Sequence, residues 1–312
     1  MIYYVTEKKC YHKYSTAMAI DNFCKINNIK NKPYTLEDFK NHNIEKDESS
    51  NILFIADAAF LKCANGTNFI KEKMPHAKII VIGSDSIGYL HTGIDEFPGI
   101  ENVYLYLDTM RWVVDHYTSK GILSDIYFWS YSEKYIENAD IDIDYEKKKY
   151  DTVCLMSCNK NYRVLLSQFL LSRCPSYISN ESYSGGTLNY NENTLRQDII
   201  NLYQSSWTVL GTTSPAWSDT RTMKGFRDFL APFFGSLLIY DNHPQILEEY
   251  NINNCIPIYD YENFNTILEL IEKIKTKDYK ELVENQKKEF KNFSIEEQLK
   301  KLFNKYDFFG RV

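Results

Sequence analysis

Short apolar runs rich in β-branched and aromatic residues alternate with amphipathic stretches along this 312-residue chain, and the alternation starts twice. Strands separated by helical stretches pair in parallel, because each crossover helix packs back on its own sheet. The first series is IYYVTE (2 to 7), a helical stretch near Ser15 to Asn27, NILFIADAAFL (51 to 61), a short helix, AKIIVIGSD (77 to 85) and NVYLYLD (102 to 108). TMRWVVDHYTSKG then reads as a helix, with Asp108 placed to cap its start and Gly121 to take the left-handed position after its end. The segment IENADIDIDYEKKKY (136 to 150) is charged and poor in large aliphatics, as an exposed connection is, and a domain boundary is expected near residue 145.

The second series runs YDTVCLMS (150 to 157), a helix through YRVLLSQFLLSR, SYISNE (176 to 181), a helix through NTLRQDIINLYQSS, WTVLGTT (207 to 213), a helix around Gly225 to Phe234, SLLIYD (236 to 241) and CIPIYD (255 to 260). Three helical segments close the chain, and Ser294 with Glu297 three residues later forms a capping box that starts the last one afresh. The expectation is an α/β protein with an amino-terminal Rossmann-like domain at 1–145, a carboxy-terminal one at 146–293, and a terminal helix at 294–312 that packs back on the first. The halves share no residue-level repeat.

Hydrophobic residues make up 44% and charged residues 25%, which is globular usage. The net charge is −6 and the basic residues are scattered, so nucleic acid is not expected as a partner. Seven cysteines without CxxC spacing are expected to be reduced and to hold no zinc. The amino terminus has no basic segment followed by a long apolar one, and no apolar run approaches the ~18 residues that span a bilayer, so a cytoplasmic protein is expected. The 25 tyrosines accompany abundant Asn, Lys, Ile and Phe, and reflect a biased composition rather than a sugar-stacking surface.

In open parallel sheets ligands bind beyond the carboxyl ends of the strands, where loops and helix amino termini converge. Those ends are Glu7, Asp57, Asp85 and Asp108 in the first half, and Ser157, Glu181, Gly211 with Thr212 and Thr213, and Asp241 in the second. Asp57, Asp85 and His91 are candidates for a general base; an aspartate here equally serves to cap the next helix. Asp85 and His91 are the preferred pair, since Gly83, Gly88 and Gly93 let their loop approach a ligand closely. Neither GxGxxG nor GxxxxGK[ST] occurs, which disfavours a dehydrogenase or a P-loop nucleotidase. Phosphate is left with SYSGGT (Gly185 and Gly186), GTT, and DTRTMKGFRDF, where Arg221, Lys224 and Arg227 sit three apart, near one face of a helix start. The alternative for that stretch is a solvated basic helix start.

The stretch from about 207 to 275 resembles the carboxy-terminal half of the spore-maturation-type glycosyltransferases, relatives of the group-1 glycosyltransferases of the GT-B fold. Arg227 opens a helix, Gly235 follows eight residues later, and Asp241 and Asp260 close two strands, as in the family pattern. One position departs: the family usually carries a Glu three residues after the Arg, held to bind the donor ribose, and here it is Leu230, with Asp228 one helical step away. The resemblance implies two Rossmann-like domains facing across a cleft and transfer of a sugar from a nucleotide-sugar donor to an acceptor hydroxyl on a glycan, glycolipid or other polysaccharide precursor. It places the donor diphosphate on Arg221, Lys224 and Arg227 with Gly211 and Thr212. The nucleotide falls near Glu181, Gly185, Gly186, Asp228 and Asp241, and the amino-terminal half takes the acceptor, where Asp85 and His91 are the preferred general-base pair. It implies retention of configuration, no metal and no other cofactor, and, through a lipid-linked acceptor, peripheral membrane association. The rival readings are a non-catalytic GT-B-like nucleotide- or glycan-binding protein and another nucleotide-sugar enzyme such as an epimerase.

Overall fold

The computed structural model describes residues 1–6, 11–83, 97–108, 111–128, 130–137, 139, 141–155, 161–179, 197–211, 229–242, 255–260, 262–275 and 278–308. The chain divides into two compact units, one of Met1–Trp129 with Gln298–Val312 and one of Ser130–Glu297.

In the first unit the chain runs β1 (Ile2–Thr6), α1 (Tyr11–Ile26), β2 (Asn31–Thr35), α2 (Leu36–Lys40), β3 (Ile52–Ile55), α3 (Ala59–Cys63), α4 (Asn68–Lys73), β4 (Lys78–Ile82), β5 (Val103–Asp108), α5 (Arg111–Ser119) and β6 (Ser124–Ile126). The strands pair in the order β2-β1-β3-β4-β5-β6, every pairing parallel. All four residues of β3, and all of β4 but its first, are buried, the signature of a parallel sheet covered on both faces. Tyr3, Leu53, Ile55, Ile79 and Val81 pack with Phe39, Phe69 and Val113 in one hydrophobic cluster.

Three features of this unit differ from the sequence reading. The run 51 to 61 holds a strand only as far as Ile55; Asp57 Oδ1 then accepts the Ala59 N–H at 2.8 Å and the chain turns into α3. The strand β2, NKPYT, has one buried residue and no apolar run, and its proline is tolerated because the strand lies at the edge of the sheet, with Pro33 opposite Tyr4. The short β6 is likewise added by pairing with β5 rather than by its own composition. Gly121 follows α5 with φ +77°, the left-handed position its sequence context predicts.

The second unit contains α6 (Lys134–Glu137), β7 (Tyr150–Leu155), α7 (Asn161–Arg173), β8 (Ser176–Ser179), α8 (Gln197–Gln204), β9 (Ser206–Leu210), a 3-10 turn at Ala231–Phe234, β10 (Leu237–Asp241), β11 (Ile258–Tyr259), α9 (Asn265–Lys275), α10 (Tyr279–Phe290) and the start of α11 (Ile295–Lys305). Its sheet is also parallel, in the order β11-β10-β9-β7-β8. Each sheet therefore places its first strand inside, its second outside it and its third on the other flank. Leu166 and Leu170 of α7 pack with Leu210, Leu237, Ile239, Ile267, Ile271 and Val283 to form the core.

Two glutamines do the work of missing strand partners. Gln286 of α10, fully buried, accepts the Leu238 N–H at 2.7 Å and donates to the carbonyls of Leu238 and Cys255 at 2.9 Å each. Gln298 of α11 accepts the Phe128 N–H at 2.8 Å and donates to its carbonyl at 3.2 Å. Helix α11 starts afresh at Ser294, whose Oγ accepts the Glu297 N–H at 3.2 Å. From Gln298 onward it belongs to the first unit, where Phe303 lies 5.0 Å from the Phe23 ring and Lys305 pairs with Asp125 at 2.6 Å. Among the described residues no helix is long and apolar enough to cross a membrane.

Candidate functional site

In each sheet the chain leaves the first strand toward one edge and returns to its other flank, which opens a crevice beyond the carboxyl ends of the first and third strands. In the first unit this lies past Thr6 and Ile55, and in the second past Leu155 and Leu210.

The described edge of the first sheet carries Asp57, Gly83 and Asp108. Both carboxylates are buried, at 3% and 5% exposure. Asp57 Oδ1 accepts the Ala59 N–H two residues on, a local turn just before α3, whose N-cap is Ala58. Asp108 ends β5 with its carboxylate set against Gly83: a Cβ on residue 83 would collide with Asp108 Oδ2 and come within 3.1 Å of Tyr106 Oη. The Gly83 N–H donates to Leu107 at 2.6 Å, which fixes that approach. The Tyr106 hydroxyl is held well above its ordinary value, first by burial and then by the charge of Asp108, with Asp57 adding to the effect. It therefore stays a neutral phenol, able to donate a hydrogen bond, beside two buried carboxyl groups. Asp108, read from sequence both as a strand end and as able to cap the next helix, is a buried acid ending an otherwise apolar strand.

On the second sheet, Gly211 follows β9. Its N–H donates to Ile239 at 2.9 Å, its carbonyl accepts the Tyr259 hydroxyl at 3.0 Å, and any Cβ would strike the Tyr240 ring. Asp241 closes β10 at 1% exposure, opposite Tyr259 of β11, and Asn242 donates to Asp260 at 3.3 Å. Gly235 ends the 3-10 turn with φ +81°, and a side chain there would collide with Ile143, so both backbone and packing require glycine. Leu230, where the resembled family carries its Glu, is fully buried at the start of that turn, an apolar interior position.

Asp85, His91, Glu181, Gly185, Gly186, Thr212, Arg221, Lys224, Arg227 and Asp228 lie outside the described residues. Among the described residues no group of three or more His, Cys, Asp or Glu side chains could hold a metal ion.

No family model and no curated protein sequence matches this chain. Solved structures do. The chain is similar to an alpha-glucosyltransferase, AGT, in complex with UDP, with a TM-score of 0.61 and 7% identity over 98% of this chain and 99% of that one. Against apo OtsA the TM-score is 0.60 with 9% identity, covering 100% of this chain and 99% of the other. The chain has a GT-B glycosyltransferase-like fold. A point mutant of S. aureus TarM in complex with fondaparinux, alpha-GlcNAc-glycerol and UDP matches at a TM-score of 0.51 and 10% identity, over 84% of this chain and 56% of TarM. The chain thus spans just over half the length of TarM, but nearly the whole of AGT and OtsA, and the two parallel sheets are what the GT-B fold requires.

Proposed function

We propose that this protein is a glycosyltransferase that moves a sugar from a nucleotide-sugar donor to an acceptor hydroxyl. The observation that carries the reading is the match along nearly the full length of both chains to an alpha-glucosyltransferase bound to UDP. The carboxyl-edge glycines and aspartates of both sheets agree with it. In this reading Arg221, Lys224 and Arg227 hold the donor diphosphate, with Gly211 and Thr212 allowing close approach. Glu181, Gly185, Gly186, Asp228 and Asp241 surround the nucleotide.

The bond between the anomeric carbon and the diphosphate oxygen breaks, the bond to the acceptor oxygen forms, and the acceptor's proton passes to a base, for which Asp85 and His91 are the choice. Cationic side chains stabilise the departing diphosphate, so the reaction is proposed to be metal-independent. A retaining hexosyltransfer in the cytoplasm, to a glycan or lipid-linked acceptor, is the finer form of the proposal.

Released nucleotide, measured over a panel of UDP-, GDP- and other sugar donors, tests it. Arg227→Ala is expected to lower kcat/KM by about 10²-fold or more, the loss of a charge-assisted contact worth ~3 kcal/mol in the transition state. Undiminished turnover would remove the diphosphate assignment. One observation favours a second reading, a nucleotide- or glycan-binding protein without activity: the buried Leu230 in place of the family's ribose-binding Glu. Nucleotide binding without turnover of any donor would select that reading.

A further inference from the structure

At the amino ends of β4 and β5, the far edge of the first sheet from its aspartates, a groove of about 510 Å³ opens to solvent. Its wall includes Lys71, Lys78, Asn102 and Tyr104, with the exposed Ser50 and Glu101. Lys71, half-buried on α4, donates to the Ala77 carbonyl at 2.8 Å and the Pro75 carbonyl at 3.4 Å. Burial lowers its pKa, and no acidic neighbour offsets that. Lys78, the first residue of β4, holds its ammonium 4.9 Å from the Tyr104 ring centre and 5.0 Å from that of Phe308. Among the described residues neither ammonium lies within ion-pair distance of a carboxylate, Glu101 included.

Two ammonium groups and one carboxylate, Glu101, with no ion pair between them among the described residues, leave this concave wall an excess of positive charge that an entering oxyanion offsets. A phosphate group alone occupies about three water volumes, roughly 90 Å³, a small part of the groove. The remaining wall suits a polyol. The Asn102 amide donates to Thr67 Oγ1 at 3.1 Å and Asn68 Oδ1 at 3.0 Å, leaving its own oxygen to accept, and the Ser50 hydroxyl both donates and accepts.

We propose that this groove binds a phosphorylated sugar, with the phosphate on Lys71 and Lys78 and the sugar hydroxyls on Asn102 and Ser50. A five-residue strand separates the groove from the opposite edge by about 17 Å, so the site is independent of the donor chemistry and of the glycosyltransferase reading.

The test is titration calorimetry and amide NMR with glucose 1-phosphate, inorganic phosphate and glucose, each run with saturating UDP present to occupy any nucleotide site. Glucose 1-phosphate is expected to bind at about 1 mM or tighter, at least fivefold tighter than inorganic phosphate, with glucose weaker still. Lys71→Gln and Lys78→Gln are each expected to weaken it about tenfold while leaving UDP affinity unchanged. Because Lys71 also ties down the 75–77 turn, the exposed Glu101→Gln supplies an independent arm. Removing this carboxylate, the one in the wall among the described residues, is expected to tighten binding about threefold, and raising salt to reduce that gain. Absence of binding at about 10 mM, or affinity undisturbed in the Lys71→Gln, Lys78→Gln double variant, overturns the proposal. Equal affinity for phosphate and glucose 1-phosphate overturns its sugar half.

Discussion

Lys148 shows how a single side chain can tie together elements that no local pattern connects. It lies in the charged segment that sequence reading treats as a solvated connection, yet its ammonium donates to the carbonyls of Gln204 at 2.6 Å and Gly235 at 3.1 Å. These are the ends of α8 and of the 3-10 turn, where carbonyls lack intrahelical partners, and the Tyr145 and Tyr279 rings flank the charge at 5.7 and 5.9 Å. Burial lowers its pKa to about 8. An unfolded lysine keeps its proton to about 10.4, so between about pH 8 and 10.4 the unfolded chain binds more protons and this group favours folding increasingly as pH rises. Urea midpoints of wild type and Lys148→Met, compared at pH 7.5 and 10, are expected to show wild type gaining on the variant at the higher pH. A constant difference would mean that Lys148 does not titrate in this window. Its charge was visible in the sequence; its partners, 56 and 87 residues away, were not.

At the scale of elements, most strands legible in the sequence are buried on both faces, and the edge strands β8 and β11 were legible from their short apolar runs as well. The apolar stretches of β1, β3, β4, β5, β9 and β10 read as strands because a parallel sheet covered by helices leaves no polar side to alternate with. The edge strands β2 and β6 were not legible, because NKPYT and SDI have no apolar run and are held in the sheet by backbone pairing. Helix α10 reads as an amphipathic helix, but its most consequential residue is polar. Gln286→Leu leaves the Leu238 N–H and the Leu238 and Cys255 carbonyls buried without this partner, and is expected to cost about 2–4 kcal/mol in chemical denaturation. A loss below ~1 kcal/mol would show that the β10 backbone finds other partners. The candidate site was legible as a set of strand ends. What was not legible was the contact of Asp108 with Gly83, since it depends on β4 and β5 being neighbours in the sheet.

For the whole molecule, the last residues of the chain are part of its first unit. Gln298, Phe303 and Lys305 engage Phe128, Phe23 and Asp125, residues at least 170 positions earlier. Removing residues 298–312 is expected to raise hydrogen exchange at the Phe128 amide and along α1 by at least tenfold, while β10 in the second unit keeps its protection. Equal protection in the shortened chain would mean that the first unit folds without its terminal segment. That this is an α/β chain with two series of parallel strands was readable from its residues alone, because burial on both faces imprints apolar runs at regular intervals. The glycine after α5, Gly121, was legible too, in the left-handed position its context predicts. The order of the strands, the edge strands β2 and β6, the pairing of Lys148 and the two glutamines with distant backbone, and the place of the amino-edge groove came only with the folded arrangement. Each of these rests on groups that meet through space, and a polar side chain looks the same in sequence whether it faces water or closes a buried hydrogen bond.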